Sequence, residues 1–210
     1  MITLYSSPGT AGLVVHWLLL ELEVPHTLHT LDLEAGEHKQ PAYLAINPAG
    51  VVPAVVIDGQ PICEAAAIAL HLADAYPARG FAPATGTLAR AAYYRWMFFL
   101  ANTMQPAFRA WFYPTEPAGE AHVEAVKAQA RARIEGGWAQ LDAQLAAHGP
   151  YLLGDTVTTP DFLLTMLMRW SRNMPKTATA WPALARLATA MKARPTFREV
   201  YAREGLTDWT

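Results

Sequence analysis

The chain has 210 residues, of which 52% are apolar and 16% charged, enough for one large domain or two small ones with buried cores. The net charge is −2 with a pI near 6.4 and no block of like charge, so nucleic acid and anionic membrane surfaces are not the expected partners. A single cysteine, Cys63, excludes an internal disulfide framework and CxxC-type metal spacing; no metal is expected, and a reducing cytoplasm suits the chain.

The opening "MITLYSSPG" lacks a basic stretch followed by a long apolar run, and no segment approaches the roughly 18 uninterrupted apolar residues of a membrane span. Neither export nor a membrane span is therefore expected. "MITLY" predicts a short strand closed by the turn residues "SSPG", and "AGLVVHWLLLELEV" carries apolar residues around most of a helical circumference, which predicts a helix buried against a sheet and stopped by Pro25. "HTLHTLDL" alternates as a strand does. "GEHKQPAYLAI" reads as a short helix or ordered loop, and "AVVIDGQPICE" as two strands joined at Asp58-Gly59, a strong hairpin signal. "AAAIALHLADAY" is helical up to Pro77. The order β-α-β-(α)-β-β-α predicts an α/β unit with a mixed four-stranded sheet over residues 1–77.

Residues 78–87, "ARGFAPATGT", have linker composition. From 88 to 210 the pattern is helical throughout and predicts an all-α bundle. In "GDTVTTPDFLL", Thr158, Pro160 and Asp161 form a helix start of the capping-box kind, a signal about folding and not about chemistry.

Two features point to a ligand. Pro53 lies near the start of an apolar β-branched run, where a central strand would lose a ladder hydrogen bond. A trans proline at the first residue of an edge strand accounts for it. So does a cis Val52–Pro53 peptide, which frees the Val52 N–H and C=O for an extended peptide that adds to the sheet as a strand. Glu64 then stands where the second hairpin strand runs into a helix, and unpaired N–H groups with the positive end of the helix dipole suit a ligand carboxylate there, with Glu64 taking an adjacent ammonium.

The set "LYSSPGTAG…HWLLLEL", "INPAGVVPAVVIDGQPICEAAAIALHLAD" and "YLLGDTVTTPDFLL" resembles the cytosolic glutathione transferases over essentially the whole chain. The resemblance implies a thioredoxin-like N-terminal domain, an all-helical C-terminal domain, a homodimer and glutathione as co-substrate. It implies that Val52 pairs its backbone with the cysteinyl part of glutathione, that Pro53 is a cis proline, and that Glu64 and residue 65 hold the γ-glutamyl end. The family's Ser or Thr at 65 is Ala65 here, a loss of one side-chain hydrogen bond worth about 1 kcal/mol. His38 and Lys39 lie in the segment that reaches the glycyl carboxylate in relatives, or else in a solvated surface loop.

Conjugation needs a thiolate near neutral pH, stabilised by hydrogen bonds or a helix N-terminus. Relatives place Ser or Cys at the position aligned with Ala11 and Ser at that of Gly12, so both groups are missing. Tyr5, Ser6, Ser7 and Thr10 are the remaining side-chain donors, beside the N–H groups that open the helix; Thr10, Ser7 and Tyr5, in that order, are assigned to the thiol, with turn formation the competing role of Thr10 and Ser7. Cys63 reads as a packing thiol. "MQPAFRAWFYP" gathers Met104, Phe108, Arg109, Trp111, Phe112 and Tyr113 about a kink at Pro106. Phe108, Trp111 and Phe112 are assigned to an apolar substrate site, with core or dimer interface as the competing roles, and Arg109 to an anionic group of the second substrate or to a surface ion pair. The expected function is conjugation of glutathione to a small hydrophobic electrophile, a detoxification chemistry, or reduction of peroxides or disulfides; the alternative is a non-catalytic protein of the same fold that carries apolar ligands or binds a protein partner.

Overall fold

The computed structural model describes all 210 residues, which pack as two compact units: 1–82 together with 192–210, and 83–191. In the first unit β1 (Ile2–Ser6), β2 (His26–Thr30), β3 (Ala54–Ile57) and β4 (Gln60–Cys63) form one sheet in the order β2-β1-β3-β4. β1 runs parallel to β2 and antiparallel to β3, and β3 pairs antiparallel with β4. The mixed sheet thus matches the expected one. Asp58 and Gly59, both at positive φ (48° and 83°), make the tight turn between β3 and β4, the primed geometry that suits strand twist.

The helices α1 (Gly12–Glu21) and α3 (Ala65–Ala75) pack together on the sheet. α1 is buried from Gly12 to Leu19, which explains why its sequence is apolar all round and not striped. The short α2 (Pro41–Leu44) places Tyr43 in a separate buried cluster with Leu31 and Ala54, against which Tyr5, Val52 and Cys63 also pack.

α9 (Pro195–Glu204) packs on α1 within this first unit. Trp17 donates its indole N–H to Thr196 Oγ1 at 3.0 Å, and Arg194 grips Glu21 with two bonds of 2.5 and 2.6 Å. Trp209 folds the tail back onto Phe197, ring centroids 6.4 Å apart. By packing, the last 19 residues therefore group with the sheet unit, because this polar anchor and the edge contact of Trp17 with Phe197, ring centroids 5.2 Å apart, tie them to α1.

The second unit consists of α4 (Leu88–Phe99), α5 (Gln105–Phe112), α6 (Val123–His148), α7 (Thr159–Trp170) and α8 (Pro182–Lys192), whose final residue already counts with the first unit. A π-helical turn, Leu100–Met104, joins α4 to α5. The disturbance expected at Pro106 is thus taken up in the turn before it, where wider hydrogen bonding loosens the helical ladder. Gly137 of α6 lies against that turn so closely that a Cβ would stand 2.1 Å from Met104 Sδ. No helix is long and apolar enough to cross a membrane.

Candidate glutathione site

The Val52–Pro53 peptide is cis. β3 begins only at Ala54, and neither the N–H nor the C=O of Val52 has a partner in the chain. The preceding carbonyl, Val51 O, accepts from Tyr43 Oη and Asn47 Nδ2, both at 2.7 Å. Burial pushes the Tyr43 hydroxyl up to about 12, so it stays protonated and donates. These two donors fix the approach to Val52 from α2 and the turn after it. Tyr43 and Asn47 are site-building residues that sequence reasoning passed over; the Asn-Pro turn signal at 47–48 was the available clue.

The hairpin register pairs Ala54 with Cys63, so Pro53 precedes and Glu64 follows the last bridged pair. Glu64 there adopts φ 70°, ψ 110°, a conformation that a non-glycine residue holds only where its surroundings enforce it. It is exposed, makes no side-chain cap, and accepts the first helical bond from Ile68 N at 2.9 Å. The N–H groups of Ala65, Ala66 and Ala67 consequently have no partner in the chain and collect at the positive end of α3. Loss of the hydroxyl at 65 leaves this main-chain cradle intact.

His38 and Lys39 come to the same edge. Lys39 Nζ donates to Gly50 O at 2.7 Å, and a Cβ on Gly50, whose φ is +58°, would stand 3.0 Å from His38 O. The His38 ring is half-buried, with Nδ1 unpartnered. Cys63 Sγ lies 3.8 Å from Ile46 O, and burial, reinforced by the nearby Glu64 carboxylate, raises its thiol pKa.

The loop from β1 to α1 is arranged differently. Thr10 donates both its hydroxyl (2.6 Å) and its N–H (3.2 Å) to Ser7 O, and its Oγ1 accepts weakly from Gly12 N at 3.4 Å. Ala11 N–H has no partner in the chain and opens α1. Ser6, 2% exposed, fills the space beside Gly12, where a Cβ would fall 1.8 Å from Ser6 Oγ and 3.5 Å from Pro53 Cβ. The side chain missing at 12 is thus replaced in volume by Ser6, which sequence offered only as a local donor. Tyr5 packs its half-buried ring between His29 and Tyr43, centroids 4.9 and 6.0 Å away.

In the helical unit Phe108 is wholly buried against Trp138 and Trp170, with ring centroids 5.9 and 5.8 Å away. Phe112, 47% exposed, stacks on Phe108 from outside, and Trp111 is partly exposed. Met104 is fully buried in the core. Arg109 makes a two-pronged pair with Glu116 at 2.8 and 2.5 Å, and its guanidinium lies 4.3 Å from the centre of the Tyr113 ring.

Residues 1–74 match the glutathione S-transferase N-terminal domain and residues 101–203 the glutathione S-transferase C-terminal domain. Glutathione S-transferase GST-4.5 of Xanthomonas campestris is 30% identical over 204 residues, 97% of this chain and 98% of that protein. A Sulfitobacter glutathione transferase homolog, solved with bound glutathione, aligns over 99% of both chains with TM-score 0.90 and 27% identity. The bacterial transferase BphK, solved as a ternary complex, aligns over 97% of this chain and all of its own at TM-score 0.87 and 30% identity. With both domain models matched along a fold whose cis Val52–Pro53 edge and open α3 start are intact, the chain belongs to the glutathione S-transferase family.

Proposed function

We propose that the protein is a glutathione transferase, in which the sheet unit (1–82 with 192–210) binds and activates glutathione and the helical unit (83–191) supplies the acceptor site. The observation that carries this reading is the pair of unspent backbone groups on Val52, just before β3, together with three unspent N–H groups at the start of α3, just after β4. Val52 would hold the cysteinyl unit as an added strand, the N–H groups of 65–67 would take the γ-glutamyl carboxylate, and Glu64 its ammonium. Lys39 and His38 would meet the glycyl carboxylate.

The thiol would ionise against Ala11 N–H and the hydroxyls of Thr10, turned from Ser7 O to the sulfur, and Ser7, with Tyr5 third in order; the proton passes to solvent. The thiolate sulfur then attacks an electrophilic carbon and expels its leaving group, or it reduces a peroxide or disulfide as a second glutathione completes the oxidised dimer. Trp111 and Phe112 would offer an apolar face to the acceptor, Phe108 would back them, and Arg109 would orient an anionic group on it. A detoxifying role in the cytoplasm and a homodimer belong to the same proposal; the exposed Tyr94 and Phe98 on α4 suit a second copy. The carrier alternative finds no support among the relatives.

Ultraviolet absorbance of a thiolate on mixing the protein with glutathione near neutral pH, absent with S-methylglutathione, is the expected result. Bound glutathione whose thiol titrates like the free tripeptide overturns the reading.

A further inference from the structure

A carboxylate from the last helix reaches the loop that must activate the thiol. Glu204 Oε2 accepts from Gly9 N–H at 2.8 Å, and Oε1 lies 2.9 Å from His16 Nδ1 on α1. The two side chains are 2% and 0% exposed. Taking a carboxylate out of water costs several kcal/mol even when it is paired. Helix-to-helix cohesion does not need it, since Trp17–Thr196 and Arg194–Glu21 already bind α9 to α1.

The Glu204 carboxylate fixes one particular peptide. Gly9, at φ +69°, has the freedom of a glycine in the left-handed region and joins Pro8 to the turn that carries Ser7, Thr10 and Ala11. Beside this turn a cavity of about 20 Å³, lined in part by Ser6, Ser7, Thr30 and Glu204, leaves the loop without tight packing on that side. With no side chain beyond a methyl at 11 and none at 12, stabilisation of a thiolate depends on how firmly the remaining donors are aimed.

The geometry points to Glu204, backed by His16, as a positioning residue for thiol activation: it holds Gly9 so that the donors of residues 7–11 face the sulfur. This rests on the transferase reading. Glu204 does not touch glutathione; it acts through the loop.

The test compares Glu204→Ala with Glu204→Gln, which keeps an oxygen for Gly9 N–H. Three quantities are read: the pKa of bound glutathione from thiolate absorbance, kcat and KM for glutathione, and hydrogen exchange at the Gly9 amide. Glu204→Ala is expected to raise the bound thiol pKa by about one unit and to lower kcat about tenfold, with KM for glutathione within about twofold, because the Val52 and α3 contacts are untouched. Gly9 exchange should accelerate at least about tenfold. Glu204→Gln should recover about a third of the parent kcat, since an amide oxygen accepts more weakly than a carboxylate.

A folded Glu204→Ala protein with unchanged thiol pKa and kcat overturns the proposal and leaves a structural clamp. If that variant fails to fold, Glu204→Gln decides alone: kcat and Gly9 exchange indistinguishable from the parent overturn it. If the parent protein forms no thiolate with glutathione, the transferase reading fails, and accelerated Gly9 exchange in the variants still separates loop anchoring from that failure.

Discussion

The starts of α7 and α3 are built in opposite ways. At α7 the Asp161 carboxylate takes the Thr158 N–H (2.8 Å), the Thr158 hydroxyl (3.1 Å) and Leu152 N–H (2.9 Å), all in the interior. At α3 no side chain caps, Glu64 is held at positive φ, and three N–H groups stay unspent. A helix start that serves folding closes on its own chain, whereas one that serves a ligand leaves its donors open. α1 falls between them: its turn is closed by Thr10, yet Ala11 N–H remains unspent.

The contrast can be broken most severely at α7. Burial pushes the Asp161 carboxyl up to about 6 from its ordinary value of 3.8. The folded protein therefore holds this proton more tightly than the unfolded chain, so the contribution to stability is fully present below about pH 4 and is lost as pH rises through about 6. The loss amounts to about 3 kcal/mol. Asp161→Asn, which cannot ionise, should flatten the corresponding fall in Tm; an unchanged pH slope contradicts the assignment.

Next in size is α1. Gly12→Ala drives a methyl against Ser6 Oγ and Ser6 Cβ, 1.8 and 2.7 Å from the ideal Cβ, so rotation of the hydroxyl alone does not relieve it. A cost of about 1–3 kcal/mol in urea unfolding is expected. Ser6→Gly in the same chain should recover part of it, as neighbours that compete for one volume couple non-additively; simple additivity denies the overlap.

Thr10→Val tests whether a closed turn also serves the ligand. The Thr10 hydroxyl reaches the sulfur only by turning away from Ser7 O, and about a tenfold loss of conjugation rate, with KM for glutathione little changed, is expected for loss of that donor. Unaltered conjugation and peroxidase rates leave Thr10 as a turn residue. The smallest effect is at α3: Ala65→Ser adds one hydroxyl to an open cradle and should tighten glutathione about fivefold by calorimetry, worth about 1 kcal/mol. Unchanged affinity would mean that the main-chain N–H groups already satisfy the carboxylate.

The pieces that sequence made legible depend on local chemistry. Asp58-Gly59 needs positive φ, Thr158 and Asp161 lie one helical turn apart, and Val52-Pro53 announces itself because proline fits poorly at the mouth of a strand. Chain order and hydrophobic period then sufficed for the mixed sheet and the helical unit. Ser6, His16 and Glu204 were not legible as a group. Ser6 reads only as a turn residue and local donor, His16 lies within an all-apolar helix, and Glu204 on a polar terminal helix, 195 residues from its Gly9 partner.

Sequence by itself determined the elements, their order, the family and the main-chain half of the proposed glutathione site, because those follow from residue spacing, turn chemistry and backbone donors that survive side-chain change. Tertiary structure alone decided that Ser6 occupies the volume at Gly12, that Thr10 spends its hydroxyl on Ser7, and that α9 returns to hold the β1–α1 loop. The reason is physical: contacts between distant segments depend on the close packing of the whole unit, and a burial cost at one residue is offset only by partners that folding brings to it.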